Sequence, residues 1–236
     1  PLLWDYRCTN EKILVKHHLT HTSQGLPGSR YRYNGFLFMF LTEVAENASR
    51  KPFDKLIVGK IVAPLKMTDT VPSINNELCQ QTLNRRAKYY QKGIFGRTVP
   101  STERPLELSA SAGLISTVID LAKFDVAMDR DIILSRASRE MMHTATISVH
   151  NERLPYGLGW FVQNHKGIKL IWHYGHVPNA YSSLIIKIPD KKLTMILLAN
   201  SDGASRNFEL GKGDVLKSPF ARLFIGHSTG IMAASR

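Results

Sequence analysis

Two apolar runs, residues 183–188 and 193–199, follow a short polar knot, Trp172-His173-Tyr174-Gly175-His176. Runs of that length bounded by turn residues fit strands covered by other elements, and two in succession fit a hairpin. The apolar run before them, 168–172, ends in the knot, which places His173 and Gly175 at a strand rim. An imidazole there offers hydrogen bonds, and a glycine lets a substrate backbone come close. The 193–199 run lacks polar alternation and is expected as a central strand covered on both faces. Residues 156–162 and 168–172 flank the polar turn Asn164-His165-Lys166-Gly167, a second hairpin signal.

The chain ahead of these strands reads as helical. Residues 1–12 are expected to be irregular, and 16–23 form a short helix running into a polar loop. The glycines and proline at Gly25, Pro27 and Gly28 mark turns. Residues 36–48 are apolar nearly all round, which predicts a buried helix. Pro52 opens another helix to residue 62, with Phe53, Leu56, Ile57 and Ile61 at helical spacing. Residues 68–105 are polar and basic and carry little periodicity. Ser116 is the expected N-cap of a helix over 118–127, with Asp120 in its first turn. Ser135 starts another, to about residue 143, and 219–225 form a terminal helix. Helices first and an antiparallel meander afterwards make an α+β fold.

The 236-residue length suits one large domain, and 43% hydrophobic content supports a core. The organisation is a single domain over 1–236: a helical region at about 13–145, strands at about 155–200 and a tail over 201–236. No apolar run approaches the roughly 18 to 20 residues of a membrane-spanning helix. Pro1 to Asp5 lack the basic start and apolar centre of a signal peptide, and without Met or a lead-in strand they are expected to continue an upstream sequence. The net charge of +12 favours anionic partners, with Arg85, Arg86, Lys88 and Lys92 as the dense cluster. No nucleic-acid motif accompanies that cluster, so no nucleic acid is expected and the cluster is read as solvated surface. Cys8 and Cys79 allow at most one disulfide and are read as free thiols. His17, His18, His21 and His176 fit no standard zinc spacing, so no metal or other cofactor is expected.

Tyr33 lies in Tyr31-Arg32-Tyr33-Asn34-Gly35, just ahead of a helix start. Backbone N–H groups and the helix dipole there favour a phenolate, and a nearby cation would complete a general base. Further along stand His-Thr-Ser in the 19–25 loop, residues 51–70 ending Met67-Thr68-Asp69-Thr70, and Ser111-Ala112-Gly113-Leu114-Ile115-Ser116-Thr117. Then come Gly157-Leu158-Gly159-Trp160, the His173-Tyr174-Gly175 strand and Leu197-Leu198-Ala199-Asn200-Ser201. In order and spacing this set resembles the serine β-lactamase-related family: class C β-lactamases, D-Ala-D-Ala peptidases and esterases built like them.

The resemblance covers almost the whole chain. It implies a β-lactamase/transpeptidase-like fold, an antiparallel sheet flanked by helices with an inserted helical region. It also implies an acyl-enzyme mechanism in which a serine of Ser-x-x-Lys attacks an ester or amide. By position, Tyr33 matches the family's proton-handling tyrosine and His173 its third motif. Asn34, Tyr174, Gly175 and His176 are the implied substrate-binding residues, with the His176 N–H as an oxyanion donor. The chain departs from the family pattern at Gly35, where Asn is usual; Asn34 stands one position earlier, a change that weakens β-lactam recognition most. No serine in the chain has Lys three residues later. Thr9-Asn10-Glu11-Lys12 is the threonine version, too close to the His-Thr-Ser loop to match. The nucleophile helix and first strands are therefore expected upstream of Pro1, and this chain alone is expected to be inactive. The partner is a small-molecule or peptide substrate with an ester or amide bond, and the resemblance favours a periplasmic or extracellular location. Two alternatives stand beside this reading: a catalytically dead module of the same fold that binds peptides or cell-wall fragments, and a basic polyanion-binding protein using residues 85–92.

Overall fold

The computed structural model describes residues 13–72 and 80–230. Residues 1–12, with Cys8 and the Thr9 to Lys12 motif, and residue Cys79 lie outside the described residues.

The centre is a four-stranded antiparallel meander: β3 (Phe161–His165), β4 (Ile168–Val177), β5 (Tyr181–Ile188) and β6 (Leu193–Ala199), in that spatial order. The β3–β4 turn is Lys166-Gly167, both left-handed at φ 51° and 84°. That is the mirror-image turn whose twist matches the strands it joins, and glycine adopts it without a steric cost. The β5–β6 turn passes through Pro189–Lys191 and closes on Lys192 at φ 53°.

Side-chain alternation divides the sheet. One face carries Leu170 and Trp172 of β4 with Leu184, Ile186 and Ile188 of β5. It is covered by Leu210, Val215 and the terminal helix α8 (Pro219–Thr229), which contributes Ala221 and Ile225. Phe161 stacks on Trp172 at 4.0 Å between centroids. Each such side chain is worth about 1.5–3 kcal/mol when fully buried, so this layer is the main source of stability. The opposite face meets α6 (Val118–Asp129) through Lys187 of β5, which is 3% exposed and ion-paired to Asp125 and Asp129 of that helix.

Ahead of the sheet lie α1 (Val15–Leu19), α2 (Gly35–Phe38), α3 (Leu41–Ser49) and α4 (Phe53–Ile57), the last continuing as a wider turn over Val58–Val62. A short helix, α5 (Gln80–Asn84), and a two-stranded hairpin, β1 (Tyr90–Lys92) with β2 (Thr98–Pro100), fill the stretch without periodicity. Helix α7 (Arg136–Met142) starts at the Ser135 cap, as expected. Among the described residues no helix is long and apolar enough to cross a membrane.

Five expectations change. Residues 36–48 are two helices broken at Met39-Phe40, with Leu37 and Leu41 buried and Phe36 53% exposed. These helices are too short for their whole circumference to be covered, and the i, i+4 pair alone reaches the interior. The strand expected from residue 156 starts at Phe161, because Tyr156 is drawn into an isolated bridge and Gly157 into a turn. β4 runs on to Val177, so His173 and Gly175 lie inside a paired strand, opposite Ile185 and Ser183. β6 is the edge of the sheet among the described residues, with Leu198 40% exposed; its apolar run resembles a covered central strand. The cap of α6 is Thr117, whose hydroxyl accepts from the Asp120 N–H, while Ser116 bonds the Thr70 hydroxyl at 2.8 Å.

Candidate active site

The Tyr33 loop and the His173 strand are 140 positions apart in sequence, yet their rings lie 6.0 Å apart. Three local structures fix the Tyr33 loop. The His21 backbone is left-handed at φ 52° and its carbonyl accepts from the Arg32 N–H, holding the two loop arms together. His21 Nδ1 accepts from the Asn34 N–H at 3.2 Å. Asn34 caps α2 by accepting from the Leu37 N–H at 3.1 Å, and its amide reaches Gln24. The residue read as a substrate-binding amide therefore fixes the start of the helix.

Tyr33 lies between His21, Phe161 and Tyr174, at 4.5, 5.8 and 5.4 Å between rings. The turn Leu210–Lys212 closes over it: Tyr31 donates to the Gly211 carbonyl at 3.0 Å. A β-carbon on Gly211 would stand 2.9 Å from the Tyr174 hydroxyl oxygen, so a side chain there would push on the Tyr174 ring.

His173 Nε2 and the Tyr156 hydroxyl are 2.8 Å apart. Burial lowers the His173 pKa to about 4, against a backbone hydrogen bond with Tyr174 that favours the protonated ring. A neutral ring carries one proton, and the tautomer decides which of Tyr156 and His173 donates in this bond. Burial also lowers His21, to about 3, with His173 adding repulsion. Burial raises the pKa of Tyr33, with the Tyr174 hydroxyl adding to the shift; it raises Tyr31 and Tyr156 likewise. The cluster is thus a neutral hydrogen-bonded nest, and Tyr33 in it holds its proton. A protonated hydroxyl is a hydrogen-bond donor; acting as a base would need a cation brought against it.

Gly175 backs onto Ser183, whose hydroxyl oxygen would lie 2.5 Å from a β-carbon at that position. The Gly175 carbonyl accepts from the Ser205 hydroxyl at 3.1 Å. His176 pairs with Ser182 at the exposed end of β4, away from the ring cluster. The structure therefore gathers the Tyr33, His173 and Tyr174 rings and turns the His176 side chain outward, while the His176 backbone follows Gly175 on the same strand. His21, Tyr156 and Gly211 join the cluster without having been singled out as site residues; the His-Thr-Ser motif, which holds His21, and the Gly-Leu-Gly-Trp motif, which Tyr156 directly precedes, were the available signals.

Beside the strand opens a cleft of about 720 Å³, lined by Ser116, Trp160, Tyr181, Ser183, Ile185 and Leu198 among others. Ser183 and Ile185 face Gly175 and His173 in the ladder, so the cleft lies on the same side of the sheet as those two residues. Among the described residues no group of three or more His, Cys, Asp or Glu could hold a metal ion. Of the basic cluster, Arg85 pairs with Asp69 and Arg86 lies over the Tyr89 ring at 5.0 Å.

Comparison with known proteins gives a consistent picture. Residues 3–216 match the family described as Beta-lactamase. Penicillin-binding protein 4* of Bacillus subtilis is 27% identical over 187 residues, covering 75% of this chain and 41% of that protein. The octameric penicillin-binding protein homologue of Pyrococcus abyssi superposes with a TM-score of 0.70 at 27% identity, over 91% of this chain and 60% of that one. The D-amino acid amidase of Ochrobactrum anthropi shares the fold with a TM-score of 0.62 at 21% identity, over 76% of this chain and 52% of that one. The chain spans less than half the length of the Bacillus subtilis relative.

Proposed function

The chain belongs to the Beta-lactamase family, and from that membership we propose that it is part of a serine hydrolase acting on an ester or amide through an acyl-enzyme. The observation that carries the reading is the approach of the Tyr33 ring to the His173 strand, two motifs far apart in sequence. The nucleophilic serine and its lysine come from residues outside this chain, in which no Ser-x-x-Lys stands.

The roles follow from charge. Tyr33 holds its proton among uncharged rings. A lysine ammonium brought against the hydroxyl would lower its pKa and let it take the serine proton during attack. The same proton then goes to the leaving alkoxide or amine as the acyl-enzyme forms. Neutral His173 and Tyr156 fix the strand beside it, and Gly175 leaves room for the Ser183 hydroxyl at the strand surface. The cleft gives room for the serine-bearing segment against the sheet. An amide substrate is in keeping with the amidase that shares the fold.

The test is covalent labelling with a fluorophosphonate. A longer protein carrying this chain behind an upstream Ser-x-x-Lys should label, and the 236-residue chain alone should not. Tyr33→Phe in the longer protein should slow acylation by about 100- to 10,000-fold. Labelling of the short chain, or an unchanged rate in the variant, would place the chemistry elsewhere. A longer protein that never labels yet holds peptides would instead be a binding module of this fold.

A further inference from the structure

The hairpin of β1 and β2 ends in an unusual tip. Gly93 donates to the Arg97 carbonyl at 2.7 Å and Gly96 to the Gly93 carbonyl at 3.2 Å, closing a tight loop. Phe95 stands at its apex, 98% exposed, in the left-handed region at φ 59° and ψ 25°. An aromatic side chain in that backbone conformation is held against its own steric preference, and here it is presented wholly to water. Both features oppose stability, and backbone strain of this kind gathers at ligand clamps and other working sites.

The surroundings say what the tip meets. Residues 85–104 hold six cations, Arg85, Arg86, Lys88, Lys92, Arg97 and Arg104, and one carboxylate, Glu103. Lys88, Lys92 and Arg97 are exposed and sit on the hairpin or at its root. The hairpin is anchored to the sheet: Tyr90 donates to the Asn200 carbonyl, Asn200 donates to the Lys88 carbonyl, and Tyr89 packs on Tyr181 at 4.8 Å. An exposed aromatic on a fixed arm, ringed by cations, matches a surface that is apolar beneath and anionic above.

We propose that this hairpin docks the protein on an anionic lipid surface, with Phe95 entering the acyl boundary and Lys88, Lys92 and Arg97 facing lipid phosphates and carboxylates. The base of the same hairpin, Arg86 and Tyr89, lines the cleft beside β5, so docking holds that cleft close to the interface. The proposal stands whether or not the chain forms an acyl-enzyme.

Vesicle sedimentation of the full chain tests it. Binding should be strong to phosphatidylcholine vesicles containing phosphatidylserine, weak to phosphatidylcholine alone, and should fall steeply with added salt. Phe95→Gly suits the left-handed tip and keeps the loop, yet should weaken binding by at least about tenfold. The pair Lys92→Glu with Arg97→Glu should lose binding by a similar factor or more. Leu223→Ser, at another exposed apolar residue on α8, should change nothing. Equal binding by Phe95→Gly, or equal binding to both vesicle types, overturns the proposal. So does concentration-dependent self-association that Phe95→Gly abolishes with no vesicle binding, which would make the tip a contact between copies.

Discussion

Gly175 shows how much one missing methyl group decides. In the sequence it stood for an open approach to a substrate, and in the structure its close neighbour is the Ser183 hydroxyl. Adding a β-carbon forces that hydroxyl into another rotamer or moves β4 from β5. Gly175→Ala is expected to lower stability by about 1–3 kcal/mol, the usual cost of overpacking. Ser183→Ala removes the offending oxygen, so the double variant should recover most of the loss. A double-mutant cycle in urea reads this directly, and two losses that simply add would show that Ser183 is not what excludes the side chain. The ordered motifs made Tyr33, His173 and Tyr174 legible, because each sits in a recognisable word. Tyr156 was legible only as the neighbour of a motif, since its bond to His173 depends on how a loop folds back. Gly211 carried no signal, because its role exists only once Tyr31 and Tyr174 are in place.

Between elements, the least legible contact is the one that joins α6 to the sheet. Lys187 lies within the 183–188 run, close to Lys191 and Lys192. Strand alternation turns it inward against Asp125 and Asp129. Its two carboxylates lie one helical turn apart, so both reach the same ammonium. A buried ammonium is costly to desolvate, and its pairing offsets that cost only while the partners remain. Asp125→Ala should therefore destabilise strongly, by about 3–5 kcal/mol, because it leaves the charge with the half-exposed Asp129. The double variant Lys187→Met with Asp125→Leu removes both buried charges together and should cost much less. Chemical denaturation of the two variants gives the comparison; a larger loss for the double variant would mean that the ion pair itself drives the docking of α6. The strands were legible as elements, since β5 and β6 begin and end close to the apolar runs. Their positions were not, because β6, the edge of the sheet among the described residues, has the composition of a central strand. The two helices in 36–48 misled for a related reason: hydrophobicity records what a segment could bury, and Phe36 and Phe40 stay exposed.

Across the whole molecule, burial holds three histidines neutral, two of them in the ring cluster and one apart from it. His21 lies in the ring cluster, His173 on β4, and His143 at the end of α7 against Trp160. Burial is the first cause of each shift, lowering His21 to about 3 and the others to about 4. Positive neighbours add to it at His143, where Lys187, Lys169 and Arg139 outweigh Asp129. All three bind protons more readily in the unfolded chain, where an unperturbed histidine titrates near 6.5. Their contribution is therefore intact above about pH 6.5 and is lost as pH falls from there towards 4 and 3, since the unfolded state gains protons first. The loss amounts to on the order of 1.4 kcal/mol per pH unit for each fully buried histidine. Carboxylates held low, such as Asp120 with its Lys123, Asp69 and Thr70 partners, give way only at lower pH, which leaves the upper window to the histidines. Urea midpoints measured from neutral pH down to about pH 5 should fall steadily. His143→Phe keeps a ring against Trp160 and removes one titrating group whose Nε2 has no hydrogen-bond partner, so its profile should be shallower. Midpoints level across that window, or a variant as acid-sensitive as the parent, would show that these rings take up protons without unfolding and that the cluster is more open to water than its packing implies.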